Sequence, residues 1–269
     1  MNGNLFIKEF RKSLFILALW IIIITLFISV TMSVYGTFLE NQSKVVGMLN
    51  ILPAGLLQFK GISNFNDLLS VLGFYSVNNI IYMMVLGSIY AIVLSSNILL
   101  KEEYNKTAEY LITKPVTRSE VFLSKLTVVS VNIFLLNLVT TLAGFICIEL
   151  VKTGSFSIRA FLILSFYTLL LNFLFGAIGL FLSVIVKRPK PITTLCIGIV
   201  LIMYFIFTLS KITGSVAAIG YLSPFKYVNT NVLDPAYKGG IGNLLYFTVF
   251  ALLLLIISYK LYLRRDIYT

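Results

Sequence analysis

Six long apolar stretches are the feature that most restricts the fold of this chain of 269 residues. A helix needs about 20 mainly apolar residues to cross roughly 30 Å of hydrocarbon, and each stretch is close to that length or longer. Because the membrane interior offers no water to backbone amides, such segments cross as α-helices. We therefore predict an all-α membrane protein with six transmembrane helices, at 14–34, 80–100, 118–150, 160–186, 192–209 and 244–263.

The composition excludes other classes of protein. Hydrophobic residues make up 59% of the chain and charged residues 12%, about half the charged fraction of soluble domains. The formal charge is +11, but the cations lie at the ends of apolar stretches, which indicates a lipid bilayer rather than nucleic acid as the partner. With no histidine and only two isolated cysteines, Cys147 and Cys196, we expect no metal site, no disulfide and no catalytic residues.

The cation distribution predicts the orientation in the membrane. Six spans place both termini on one side, and that side holds 14 of the 21 lysines and arginines, with Lys125 among them. The positive-inside rule then places both termini in the cytoplasm, and with them the connection between the second and third helices. The connections at 35–79 and 210–243 become outer loops.

The N-terminal segment 1–13 is predicted to be an interfacial helix. Phe6 and Phe10 share one helical face, and Lys8 and Arg11 share the opposite face. Such a helix lies in the headgroup layer before it turns into the first span. The alternative is a basic flank that only orients the chain.

A charged insert follows the second apolar stretch. Apolar side chains recur on one face at Tyr104, Ala108 and Leu111, which predicts a short amphipathic helix at 101–114. Pro115 ends this helix because proline cannot donate a backbone hydrogen bond. Thr117 and Glu120 then form a capping box, so that the third membrane helix begins at Arg118. The insert is either a docking surface for a water-soluble motor or a solvated loop between two membrane helices.

The insert also resembles a known family. Its residues 102–118 match the pattern E-E-x-x-x-T-x-E-x-L-L-x-x-P-[VI]-[ST]-R of ABC-2 type permeases, with Ile112 at the second leucine position. The match departs from many relatives at Lys106, where they carry glycine. Leu222-Ser223-Pro224-Phe225 and the closing Arg264-Arg265-Asp266 also resemble family features, more weakly.

This resemblance implies a permease subunit of an ABC exporter in a bacterial cell membrane. Two permease subunits, identical or different, pair about a central pathway. The insert becomes a coupling helix that rests on an ATP-binding cassette subunit, and ATP and magnesium bind on that partner. The residues implied in ATPase coupling are Glu102, Glu103, Lys106, Thr107, Glu109, Tyr110, Leu111, Ile112, Pro115 and Arg118.

Two observations on the residues bear on the energy source. The chain lacks a G-x-x-x-x-G-K-[ST] loop, so ATP hydrolysis by that route needs a separate subunit. The middle of each span also lacks ionisable residues, which disfavours a proton-driven carrier. The alternatives to an exporter are an ATP-independent carrier or channel and a membrane-embedded lipid-modifying enzyme.

Polar residues inside the spans have two interpretations. They either hold helices together by hydrogen bonds or line a substrate path. The candidates are Asn97, Asn132, Asn137, Thr140 and Asn172. Apolar spans without buried charge favour an amphipathic or hydrophobic cargo, such as a phenol-soluble-modulin toxin, a lantibiotic, a drug or a lipid.

Overall fold

The structure, a computed structural model, describes residues 3–42, 68–104, 117–186, 189–212, 214–234 and 237–264. In this part of the chain six helices are long and apolar enough to cross a membrane, in agreement with the predicted all-α membrane protein. We label them in chain order: α1 Gly3–Ser33, α2 Val71–Tyr104, α3 Arg118–Val151, α4 Ile158–Ile185, α5 Pro189–Ile212 and α6 Ile241–Arg264. A short helix, Tyr35–Glu40, follows α1, and two 3₁₀ helices, Gly214–Leu222 and Pro224–Tyr227, lie between α5 and α6.

The helix boundaries differ from the prediction at the first span. The sequence predicted an interfacial helix at 1–13 and a separate span from 14, whereas α1 is one uninterrupted helix from Gly3 to Ser33. Between these two residues the sequence has neither proline nor glycine, which are the usual causes of a sharp kink. The amphipathic segment is therefore the first part of α1, and its location in the headgroup layer stays a prediction.

Elsewhere the helices mostly extend the predicted spans. α2 begins at Val71, so residues 71–79 of the predicted outer loop 35–79 are helical. The predicted start of the third membrane helix at Arg118 is confirmed. At α4 the Ser157 hydroxyl accepts a hydrogen bond from the Ala160 amide and caps the first turn.

Contacts between helices show that both termini of the bundle lie at one end. Ser29, late in α1, lies 3.6 Å from Cys147, late in α3, so these two helices run parallel. Ser119, at the start of α3, lies 2.8 Å from the hydroxyl of Tyr259, near the end of α6. Gly3, Arg118 and Arg264 therefore share one end, here called the terminal end, and the opposite end is called the distal end.

The centre of the bundle consists of α2, α3 and α4, with α2 and α4 in the most extensive contact. Glycines permit the close approach. A Cβ atom on Gly179 would lie 2.5 Å from the Ile92 carbonyl oxygen, and one on Gly176 would lie 2.7 Å from Ile133 Cδ1. Small residues at helix interfaces let backbones approach and gain van der Waals contact where lipid offers no hydrophobic driving force.

The outer helices cover this centre and expose apolar side chains. α1 packs on α3 and α2, α5 packs on α2, and α6 packs on α4 and α3. Phe15, for example, is 77% exposed. Single exposed apolar residues are common on soluble proteins, but faces this extensive fit a hydrocarbon environment.

The 3₁₀ segment after α5 returns along that helix. The Ser223 hydroxyl donates a 2.7 Å hydrogen bond to the Met203 carbonyl oxygen, more than two turns before α5 ends. Phe225 is fully buried, and its ring lies 5.3 Å from the Phe175 ring and 5.5 Å from the Tyr204 ring. This part of the predicted outer loop 210–243 is therefore packed into the bundle.

Candidate functional site

Most of the predicted coupling residues lie outside the described residues. These are Lys106, Thr107, Glu109, Tyr110, Leu111, Ile112 and Pro115. For Glu102 and Glu103 the structure describes the backbone, which forms the last turn of α2. Arg118 is the first residue of α3 and is exposed. The structure thus describes the two helix ends on which the insert is mounted.

The predicted capping box at the start of α3 is present. The Thr117 hydroxyl oxygen accepts a hydrogen bond from the Glu120 amide, and the Thr117 amide donates a 3.0 Å hydrogen bond to Glu120 Oε2. Both bonds satisfy amides that a helix terminus otherwise leaves without a partner. The capping box therefore fixes the position at which the insert ends and the membrane helix begins.

The first turns of α3 are fastened to α6. Ser119 shares a hydrogen bond with the Tyr259 hydroxyl. One turn further on, the buried Phe122 ring lies 5.4 Å from the Tyr259 ring and 5.5 Å from the Tyr262 ring. The sequence alone does not predict this contact, because no local pattern in α3 or α6 indicates that these two helices pack together.

A buried lysine joins α3 to α2. Lys125 is 1% exposed, and its ammonium donates a 2.7 Å hydrogen bond to the Ile98 carbonyl oxygen. Its position near the end of a span predicted a cytoplasmic cation that orients the chain, but the structure places it inside the bundle. A signal was available: Phe122, Lys125, Val129 and Asn132 recur at the three- and four-residue spacing of one helix face.

The end of α2 is also fastened to α5. Asn97, a predicted pathway residue, donates one hydrogen bond to Thr193 Oγ1 at 3.2 Å and another to the Val93 carbonyl at 2.8 Å. It lies apart from the other pathway candidates. At the terminal end of the bundle, side chains therefore connect α2 with α3 and α5, and α3 with α6.

The remaining pathway candidates lie deeper in the bundle and bond to protein groups. Asn132 accepts a 3.0 Å hydrogen bond from the Tyr90 hydroxyl and donates to the Val128 carbonyl. Thr140 donates to the Leu136 carbonyl of its own helix.

Asn137 and Asn172 meet across α3 and α4. Asn172 donates to Asn137 Oδ1 at 3.0 Å and accepts from the Ser88 hydroxyl at 3.1 Å, and Asn137 donates to the Ile133 carbonyl. Both polar ends of each amide thus have a partner within the chain. Such bonds are those expected of helix packing, and a pathway role stays a prediction.

At the distal end the side chains enclose a cleft of about 550 Å³. Its lining includes Tyr35, Thr153, Arg159, Asp234 and Tyr237. The Tyr237 hydroxyl donates a 2.9 Å hydrogen bond to the Asn229 carbonyl, and burial raises the pKa of this hydroxyl, with a smaller effect from Tyr167. The sequence alone does not predict the cleft, because its lining comes from three separate connections, those between α1 and α2, α3 and α4, and α5 and α6.

The fold defines a multi-pass helical membrane protein in which a charged insert is mounted on two tethered helices. A family model described as ABC-2 family transporter protein matches residues 3–267. The chain therefore belongs to the ABC-2 transporter family, and it is a membrane component of an ABC transporter. Members of this family typically work with an ATP-binding subunit. A comparison with curated proteins found no significant match.

Proposed function

We propose that this chain is the permease subunit of an ABC exporter in the bacterial cell membrane. It couples ATP hydrolysis by a separate nucleotide-binding subunit to the outward movement of an amphipathic or hydrophobic substrate. One observation carries the proposal: the insert begins at the end of α2 and ends at the capped start of α3, and hydrogen bonds tie these two helix ends to each other and to α5 and α6. A displacement of the insert would therefore move the bundle rather than a free loop.

In this proposal the insert is the coupling helix predicted at 101–114, although its first four residues are continuous with α2, which extends to Tyr104. Leu111 and Ile112 fill a cleft of the ATPase subunit, and Glu102, Glu109 and Lys106 make polar contacts at its edge. Pro115 and Arg118 set the angle to the membrane. ATP and Mg²⁺ bind on the partner, consistent with the missing phosphate-binding loop in this chain.

The packing of one bundle favours a second permease subunit. Large apolar side chains fill the centre, among them the fully buried Leu171 and Leu174 of α4 and Ile133 of α3. The asparagine amides between them are already bonded within the chain. A pathway between two permease subunits, identical or different, avoids opening this core. The apolar spans suit a peptide toxin, a lantibiotic, a drug or a lipid as cargo.

The proposal is tested on the complex that copurifies with the tagged chain from its native membrane. We expect an ATP-binding cassette subunit in that complex. We also expect that trapping with ATP and vanadate changes amide hydrogen exchange at the distal end of this chain. Glu109→Lys and Leu111→Asp should abolish this change while the chain stays folded, because they disrupt the contact with the ATPase.

Glu40→Lys is the matched control. Glu40 is exposed on the short helix at the distal end, so the same charge reversal there should leave the response intact. A chain that copurifies without an ATPase subunit, or a response that survives both insert variants, would contradict the proposal. Transport by the chain alone in vesicles would instead favour the carrier or channel.

Orientation is tested by cysteine labelling. After replacement of Cys147 and Cys196 by alanine, single cysteines are introduced at Lys106 in the insert or at the exposed Thr37 near the distal end. An impermeant maleimide should label Thr37→Cys in intact cells and label Lys106→Cys only after lysis. The reverse pattern would place the insert outside and exclude contact with a cytoplasmic ATPase.

A further inference from the structure

Lys125 is a charged side chain in a place where charge is costly. It lies two turns into α3, about 10 Å along the helix from Arg118, and it is 1% exposed. Moving an ammonium group out of water is strongly unfavourable unless the site supplies compensating polar groups. A lysine that served only to orient the chain would reach the headgroups along the outside of the bundle. Lys125 points inward instead, so its location needs another reason.

The end of α2 supplies the compensation. The ammonium of Lys125 bonds to the Ile98 carbonyl, within the last two turns of a helix that the structure describes to Tyr104. A backbone carbonyl oxygen has two lone pairs, so it can accept a bond from the ammonium in addition to its bond within the helix. The bond therefore links a charged side chain of α3 to the backbone of α2, and these are the two helices on either side of the insert.

The same two helices are joined again further in. Tyr90 of α2 bonds to Asn132 of α3. Compared with the bond between Lys125 and Ile98, this bond lies seven residues later on α3 and eight residues earlier on α2. This is the register of two antiparallel helices held side by side. Lys125 makes the outermost of these two bonds, the one nearest to the insert.

We propose that Lys125 is a positioning residue that fixes the spacing of the two helix ends on which the insert is mounted, so that α2 and α3 move as one unit when the insert is displaced. The joint movement of α2 and α3 rests on the proposed function, whereas the fixed spacing of the two helix ends depends only on the packing of the bundle. Without the bond, the last turns of α2 and the first turns of α3 would separate locally and absorb the displacement.

The first test uses the purified chain in nanodiscs of phosphatidylglycerol and phosphatidylethanolamine. Lys125→Met keeps the length of the side chain but removes the charge and the donor, whereas Lys125→Arg keeps both. Lys260→Met is the matched control, because Lys260 is an exposed cation on α6 that also lies near the terminal end of the bundle. Because methionine fills a similar volume and has no charge to desolvate, Lys125→Met should fold, and a cooperative thermal unfolding transition checks this.

The readout is amide hydrogen exchange in peptides that cover 98–104 and 117–125. We expect exchange about tenfold faster in Lys125→Met, as for the loss of a local tether, with wild-type rates in Lys125→Arg and Lys260→Met. Unchanged exchange in Lys125→Met would overturn the proposal. If Lys125→Met does not fold, Lys125→Gln replaces it as the test variant, because glutamine keeps a donor but loses the charge. Lys125→Gln should show the same local acceleration of exchange. Wild-type exchange rates in that variant would overturn the proposal.

The second test uses the copurified complex with ATP and vanadate. Lys125→Met should lose the nucleotide-dependent change in exchange at the distal end, while ATP hydrolysis continues. A normal change in Lys125→Met, together with its loss in Glu109→Lys, would overturn this inference and leave the proposed function intact. A normal change in both variants would overturn both.

Discussion

Asn172 Nδ2 donates a 3.0 Å hydrogen bond to Asn137 Oδ1, which joins α4 to α3 near the middle of the bundle. Asn172 in turn accepts a hydrogen bond from Ser88 of α2. One amide thus connects the three central helices. Gly87 makes room for it, since a Cβ atom there would lie 2.6 Å from Asn172 Nδ2.

The Asn137–Asn172 bond should be measurable as a coupling energy. We expect Asn137→Ala and Asn172→Ala each to lower the free energy of unfolding, because each leaves a buried amide without its partner. The double variant should be less destabilised than the sum of the two, by about 1 kcal/mol. Unfolding in mild detergent measures this coupling. Additive losses, or variants that change cargo selectivity without changing stability, would favour a pathway role instead.

Gly179 should tolerate no larger side chain. A Cβ atom there would lie 2.5 Å from the Ile92 carbonyl oxygen, which belongs to the backbone of α2 and cannot rotate away. Gly179→Ala should therefore cost about 1–3 kcal/mol of stability through overpacking. Gly198→Ala is the control, because no atom other than those of its chain neighbours and the local helix backbone lies within 4 Å of the added carbon, and it should be neutral or stabilising. Equal melting temperatures for the two variants would contradict the close packing of α2 and α4.

Removal of the Thr117 cap should loosen the start of α3. Thr117→Ala removes the oxygen that accepts from the Glu120 amide, at an expected cost of about 1 kcal/mol. Hydrogen exchange in the first turn of α3 should rise, whereas the exposed Thr194→Ala on α5 should leave it unchanged. An effect of the same size in both variants would mean that the cap does not stabilise this helix end.

Phe225 should anchor the 3₁₀ segment on α5. Phe225→Ala removes a fully buried ring that contacts the rings of Phe175 and Tyr204, so we expect a loss of about 3 kcal/mol. Proteolysis between α5 and α6 should also become faster. Leu222→Ala is the control, because Leu222 is 68% exposed. If the two variants are cleaved at the same rate, the segment does not depend on this ring.

Local sequence signals predicted much of the architecture. The number of spans follows from runs of about 20 apolar residues, and the start of α3 follows from the side chains of Thr117 and Glu120, three residues apart. The break expected after the N-terminal segment is not present, because an amphipathic pattern alone does not interrupt a helix that lacks glycine and proline.

Partners distant in the chain were decided by the tertiary structure. The sequence predicted Lys125 to be one of the cytoplasmic cations, since positive residues near the end of a span usually lie on that side, but the packing of α2 on α3 places it against Ile98. It named Asn137 and Asn172 without showing that they bond to each other, and it read 210–243 as an outer loop although Phe225 is buried.

The sequence by itself determined the six apolar helices of the described residues and the charged insert between the second and third, because hydropathy and helix caps depend on neighbouring residues. The tertiary structure alone decided which side chains fasten the helices on either side of that insert. Those bonds join residues up to 140 positions apart, as between Ser119 and Tyr259, and their geometry exists only once the helices have packed.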